Sequence, residues 1–206
     1  MESLKDLKDS VVELFALVSE ALARATAALL DADTRLAEAV VAADDEIDAR
    51  TAALTTTIWE LVDSGGPDRP PLRDLVGLLL ILPELERSAD LAEHIAQRAQ
   101  KNLGAEMSPA SRGIVARMGH VAVEMWQSTT AAYAIRQTAS TELDEADEEL
   151  DILHDRLTTE VATGAMEPAV AAQVTLVARF YERLGDHAVN LARRSDSLPP
   201  PAPVRA

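Results

Sequence analysis

Phe180-Tyr181-Glu182-Arg183-Leu184-Gly185-Asp186-His187-Ala188-Val189-Asn190-Leu191-Ala192 lies near the end of the 206-residue chain, and its pattern occurs twice. On a helix, Glu182, Asp186 and Asn190, spaced four apart, stand above one another on one side. Two carboxylates at that spacing cost an isolated helix roughly 0.2–0.5 kcal/mol, so local stability does not account for them. Ninety-six positions earlier the chain reads Leu85-Glu86-Arg87-Ser88-Ala89-Asp90-Leu91-Ala92-Glu93-His94-Ile95-Ala96. Glu86 matches Glu182, Arg87 matches Arg183, Asp90 matches Asp186, and His94 falls where Asn190 is. A repeat of that period points to two tandem units of about a hundred residues each, and it decides how the rest of the chain is read.

Composition fixes the class of those units. Hydrophobic residues make up 48% of the chain but aromatics only 3%, with the alanine and leucine content of long helices and none of the β-branched or aromatic runs of a sheet. A net charge of -16 argues against a nucleic-acid partner, which requires basic surface to displace counterions. It suits cations or a basic protein partner. With no cysteine, disulfides and thiolate metal sites are excluded. The start, Met1-Glu2-Ser3-Leu4-Lys5-Asp6, has no secretory pattern, and the longest apolar run, Val76 to Leu82, is far too short to span a bilayer. A cytoplasmic protein is expected.

An apolar stripe of Leu4, Leu7, Val11, Leu14, Val18, Ala21 and Ala25 predicts a first helix to about Leu30, with a break at Asp31-Ala32-Asp33-Thr34. A second helix runs to about Val62 and is ended by Ser64-Gly65-Gly66-Pro67-Asp68-Arg69-Pro70-Pro71. The third starts at these prolines and continues to about Lys101, with a kink expected at Pro83. Asn102-Leu103-Gly104 reads as a helix stop, and Ser108-Pro109 as a cap and first helical residue. Helices over about 109–138 and 141–162 and a last one to about Asp196 repeat the plan. The expected fold is all-α: two tandem, pseudo-symmetric three-helix bundles over 1–104 and 105–197, followed by a disordered proline-rich tail over 198–206.

Helical phase places Glu86 and Asp90 roughly 80° and 120° from the core direction of the third helix, and His94 at roughly 160°. Glu182, Asp186 and Asn190 take the same flank of the last helix. On the second helix Asp44 and Asp48 stand roughly 60° and 100° from the core direction, and Asp147 and Asp151 match them in the other half. Each half thus carries two acidic pairs on the shoulders of adjacent helices, and clustered carboxylates recruit cations or raise one another's pKa. Asn190, His94 and His187 are candidate outer ligands only: a lone histidine on a helix surface such as His94, His120 or His154 is more often a solvated or structural residue than a ligand, and His187 is read as facing away from the core. Asp151 and His154, three apart, are the one such pairing of acid and imidazole, with no counterpart in the first half. Trp59 and Trp126 are read as packing residues.

The last motif resembles a known family. Leu-Glu-Arg-Ile-Gly-Asp-His-Ala-Val-Asn-Ile-Ala is the hallmark of the PhoU family of phosphate-transport regulators, and Tyr181 to Ala192 reads Tyr-Glu-Arg-Leu-Gly-Asp-His-Ala-Val-Asn-Leu-Ala. The acidic middle helix of each half and Pro71-Leu72-Arg73-Asp74-Leu75 extend the likeness. The resemblance implies paired three-helix bundles and divalent or multinuclear metal sites, with Glu86, Asp90, Glu182 and Asp186 as ligands and Asp44, Asp48, Asp147 and Asp151 as middle-helix candidates. Mg, Mn or Fe suits all-oxygen ligation better than Zn. The resemblance also implies a non-catalytic regulator linking the ATPase of a phosphate ABC transporter to a membrane sensor histidine kinase, associated with the membrane only through those partners. A homodimer is compatible with it. Ser88-Ala89, Leu91 and His94 depart from the motif in the first copy, which ranks the second site ahead of the first.

Two other readings compete. A ferritin-like di-metal oxidase requires inward-facing Glu-x-x-His on two helices, and no Glu-x-x-His occurs. A metal-free acidic scaffold accounts for the composition but not for the duplicated motif.

Overall fold

Seven helices make up the computed structural model, which describes residues 3–65, 69–135, 141–164 and 166–197, with side chains placed through residue 194. They are α1 (Leu4–Asp31), α2 (Thr34–Ser64), α3 (Leu72–Gln100), α4 (Leu103–Glu106), α5 (Pro109–Ile135), α6 (Thr141–Thr163) and α7 (Pro168–Ser197), and no strand occurs among the described residues. The tail over 198–206, the last three residues of the expected 109–138 helix and Gly66-Pro67-Asp68 lie outside the described residues.

Local chemistry accounts for the ends. Ser3 and Asp6 form a reciprocal capping box on α1, which closes on Ala32 in the left-handed conformation. Asp33 then caps α2 by accepting from the Leu36 amide, 3.0 Å away. α3 runs unbroken through Pro83, the site of the expected kink, and Pro83 itself is exposed. The missing amide leaves the Leu79 carbonyl without its helical donor, and the next carbonyl, that of Leu80, accepts from Arg194 Nη1 at 2.9 Å. The expected stop at Asn102-Leu103-Gly104 is a corner: Asn102 has φ 63°, but the chain adds the short α4 before turning into α5. Gly104 is there for closeness, because an added Cβ would lie 1.8 Å from the Leu29 carbonyl oxygen of α1.

α1, α2 and α3 pack together, as do α5, α6 and α7; α1 against α5 and α3 against α7 join the two halves. One apolar core runs through both, from Leu7 and Leu22 of α1 through Leu85 and Ile95 of α3 to Trp126 of α5 and Leu184 of α7. Most aromatic residues collect along the seam. Phe15 of α1 lies 6.2 Å from Trp126 and 4.9 Å from Tyr133 of α5, measured between ring centroids. The Thr26 and Tyr181 hydroxyls hydrogen-bond at 2.9 Å beside Gly119, where a Cβ would lie 2.3 Å from Thr26 Cγ2. Trp126 is fully buried and donates from Nε1 to the Leu184 carbonyl at 3.0 Å, as a packing residue should. Trp59 corrects the other half of that expectation: it is 53% exposed, because its neighbour Ile58 takes the core direction of α2.

Candidate metal centre

In the first half α2 brings Asp44 and Asp48 to face Asp90 of α3, and the three offer carboxylate oxygens that all lie within 4.8 Å of one another. Burial pushes the half-buried Asp44 carboxyl up to about 7, aided by the charges of Asp48, Glu93, Asp90 and Asp45. Every group named there is an acid. Glu86, one turn before Asp90, is exposed and is not part of the convergent trio. Glu93 is the neighbour that motif matching passes over. Its place three residues after Asp90 on the same helix face is the signal that finds it. It accepts from Gln97 Nε2 at 2.8 Å.

In the second half one of the corresponding acids, Glu182, is paired with the protein's own Arg179, and Arg193 pairs with the neighbouring Asp144. Burial pushes Asp147 up to about 6, with Asp186 and Asp151 adding to the effect and Arg193 opposing it. Glu182 is raised chiefly by burial; Arg179 and His154 oppose, while Asp186 and Asp151 add. Arg179 donates to Glu182 Oε1 through Nη1, and Arg193 Nη2 donates to Asp144 at 2.9 Å. Glu182 Oε2 is left buried without a partner. Gly185 lets the two helices close on this site, because a Cβ there would lie 3.0 Å from Asp147 Oδ1 and 2.6 Å from Leu150 Cδ1.

The outer residues lie elsewhere. His187, read as facing away from the core, is buried at 8% exposure in the seam. Its Nδ1 is 2.9 Å from Ser88 Oγ and its Nε2 is 3.7 Å from Glu84 Oε1 of α3. Burial lowers its proton affinity, against the pull of Glu84. His94 is half-buried on the ring of Phe180, with centroids 5.5 Å apart. Asn190 is exposed. The phase argument gave each helix one core direction, whereas α3 and α7 are buried on two sides, against their own bundle and against each other.

The donor set fits a cation. It is rich in carboxylate oxygen, it includes an orphaned buried oxygen on Glu182, and at Gly185 the backbone has no side chain where Asp147 approaches. Asp44, Asp48 and Asp90 would hold one cation; Asp147, Asp151, Glu182 and Asp186 are the repeat-related set of the second half, and among the described residues they do not converge as the first trio does.

Fold and site together define a tandem helical-bundle protein in which each half sets acids of its second helix against acids of its third. The chain belongs to the PhoU family: the PhoU domain model matches residues 11–99 and again 115–195. Among curated relatives, the phosphate-specific transport system accessory protein PhoU homolog 1 of Mycobacterium leprae is 33% identical, over 94% of this chain and 89% of that protein. PhoU homolog 2 of Mycobacterium tuberculosis is 34% identical, over 94% and 92%. The crystal structure of PhoU from Pseudomonas aeruginosa superposes with a TM-score of 0.84 at 25% identity, covering 95% of this chain and 96% of that one.

Proposed function

We propose that this protein is a non-catalytic, cytoplasmic regulator of phosphate uptake and of the response to phosphate starvation. In this reading it binds the ATPase of a phosphate ABC transporter and a membrane histidine kinase, and it carries divalent cations on its two acidic clusters. Membership of the PhoU family, with both halves matched, carries the regulatory part. No helix among the described residues is long and apolar enough to cross a membrane, so membrane contact would run through partners. A bound cation would neutralise the clustered carboxylates and tie α2 to α3 and α6 to α7; the chain's own residues supply oxygen ligands and no nucleophile or acid–base pair is assigned.

Deletion of the gene is expected to release phosphate-responsive genes from control, with the wild-type chain restoring it. A pull-down from cells with and without phosphate should recover the transporter ATPase or the histidine kinase, and recovery of neither sinks the partner assignment. Metal analysis of the purified protein addresses the cation separately. Content unchanged between wild type and a variant carrying Asp44→Asn, Asp48→Asn, Glu182→Gln and Asp186→Asn would remove the carboxylates from that role.

A further inference from the structure

The two acidic sites differ in what surrounds them, and the difference runs against their motifs. Two arginines act on the second cluster, Arg179 on Glu182 and Arg193 on Asp144 and Asp147, and His154 adds to them on Glu182 only when protonated. The repeat places Pro83 where Arg179 stands, Gln97 where Arg193 stands and Thr51 where His154 stands. All three replacements are neutral. The first cluster has lost its built-in counter-charge while keeping its carboxylates, and its Asp44, Asp48 and Asp90 already converge within 4.8 Å.

Two further observations bear on the first site. Thr51 is 2% exposed and its Oγ1 has no hydrogen-bond partner. On α2 it follows Asp48 by three residues, so the helix that carries Asp44 and Asp48 has an unpaired buried oxygen one turn further on. Arg98, a cation that feels Glu93, is engaged elsewhere: its Nη1 donates to the His94 carbonyl at 2.9 Å and its guanidinium lies 4.8 Å over the Phe180 ring. Uncompensated acids in a partly desolvated cleft attract a cation from solution strongly, whereas acids already paired must first release an arginine.

We infer that the first-half cluster of Asp44, Asp48 and Asp90 is the tighter cation site, and that Arg179 and Arg193 act as internal counter-ions that hold the second site in reserve. The inference rests on the cation reading proposed above and reverses the ranking that the motifs alone suggest. Because Arg179 and Arg193 are exposed, their competition is screened by salt, so the second site gains relative to the first as ionic strength rises. The first site then loads at low cation concentration, and the second loads only when the cation or a partner displaces its arginines. A basic protein segment would compete with the arginines for the same carboxylates.

The test is titration of the full, chelator-stripped chain with Mn²⁺, followed by calorimetry and by the electron paramagnetic resonance of free Mn²⁺. Wild type should show one tight class and a second weaker by about tenfold or more. Asp44→Asn with Asp48→Asn should abolish the tight class, and Asp147→Asn with Asp186→Asn should abolish the weak one. Arg179→Gln with Arg193→Gln should tighten the weak class severalfold, and Gln97→Arg should weaken the tight one. A tight class that survives the Asp44/Asp48 change and is lost with Asp147/Asp186 overturns the inference, as do two classes of equal affinity. No Mn²⁺ bound by wild type overturns the cation reading itself. The Gln97→Arg variant keeps the question answerable if an Asp→Asn variant fails to fold.

Discussion

Three glycines within helices show how much a single position decides. Gly113 faces open space, with nothing within 4 Å of an added Cβ, so Gly113→Ala should raise stability by about 0.5–1 kcal/mol through the unfolded chain and helix propensity. Gly119→Ala meets Thr26 Cγ2 at 2.3 Å and the Tyr181 hydroxyl at 3.3 Å, and overpacking of this kind costs about 1–3 kcal/mol, outweighing the propensity gain. Chemical denaturation of the two variants against wild type should move the midpoints in opposite directions. Gly185→Ala is expected to behave like Gly119→Ala and also to displace Asp147, lowering cation uptake by the second half, which Gly119→Ala leaves unchanged. None of this was legible from the chain, where a glycine in a helical run registers only as a propensity cost. What the three positions face depends on helices far away in sequence, and Gly185 is marked beforehand only by its place in the motif.

At the scale of elements, the heptad stripes foretold the long helices well because amphipathic periodicity and capping residues act locally. The third helix of each half was misjudged on one side, because α3 and α7 bury a second face on each other. Three contacts fix that packing as antiparallel: Leu80 with Arg194, Ser88 with His187 and His94 with Phe180. In this register Leu91 and Leu184, both buried, are the repeat-related counterparts of His187 and Ser88. The drift of the first motif at Ser88 and Leu91 therefore marks a difference at the seam, while of the acids beside it Asp44, Asp48 and Asp90 converge and Glu86 does not. Those acids set a pH dependence. The Asp44 carboxyl has an ordinary value of 3.8 and is raised to about 7 in the fold. Between those values the folded chain holds a proton that the unfolded chain has lost, so stability falls as pH rises through the window and levels off above it. Buried His187, its proton affinity lowered, works in the opposite sense but is common to wild type and Asp44→Asn. Metal-free wild type should therefore lose more of its melting temperature between about pH 4 and pH 7 than Asp44→Asn does, and saturating divalent cation should shrink the difference. Equal pH profiles for the two proteins would count against the raised Asp44.

For the whole molecule, the repeat predicts two bundles but cannot say whether they behave as two bodies. The aromatic residues answer that question, and the repeat did not announce it, since Leu85 stands where Tyr181 is: Phe15, Trp126, Tyr133 and Tyr181 serve the junction between halves. Removing a fully buried aromatic such as Trp126 costs about 3–5 kcal/mol, and here the loss includes the hydrogen bond to the Leu184 carbonyl. A core shared to that extent makes separation of the halves as costly as unfolding one of them, because each would expose its side of the seam to water. The two tryptophans allow this to be measured, since Trp59 is largely exposed and Trp126 fully buried. In a Trp59→Phe variant, fluorescence reports the seam alone while far-ultraviolet circular dichroism reports all helices. The denaturation curves from the two signals should coincide, with one midpoint and one slope. A fluorescence change that precedes the loss of helix would mean that the bundles part while each stays folded, and the seam would then be a hinge between two bodies.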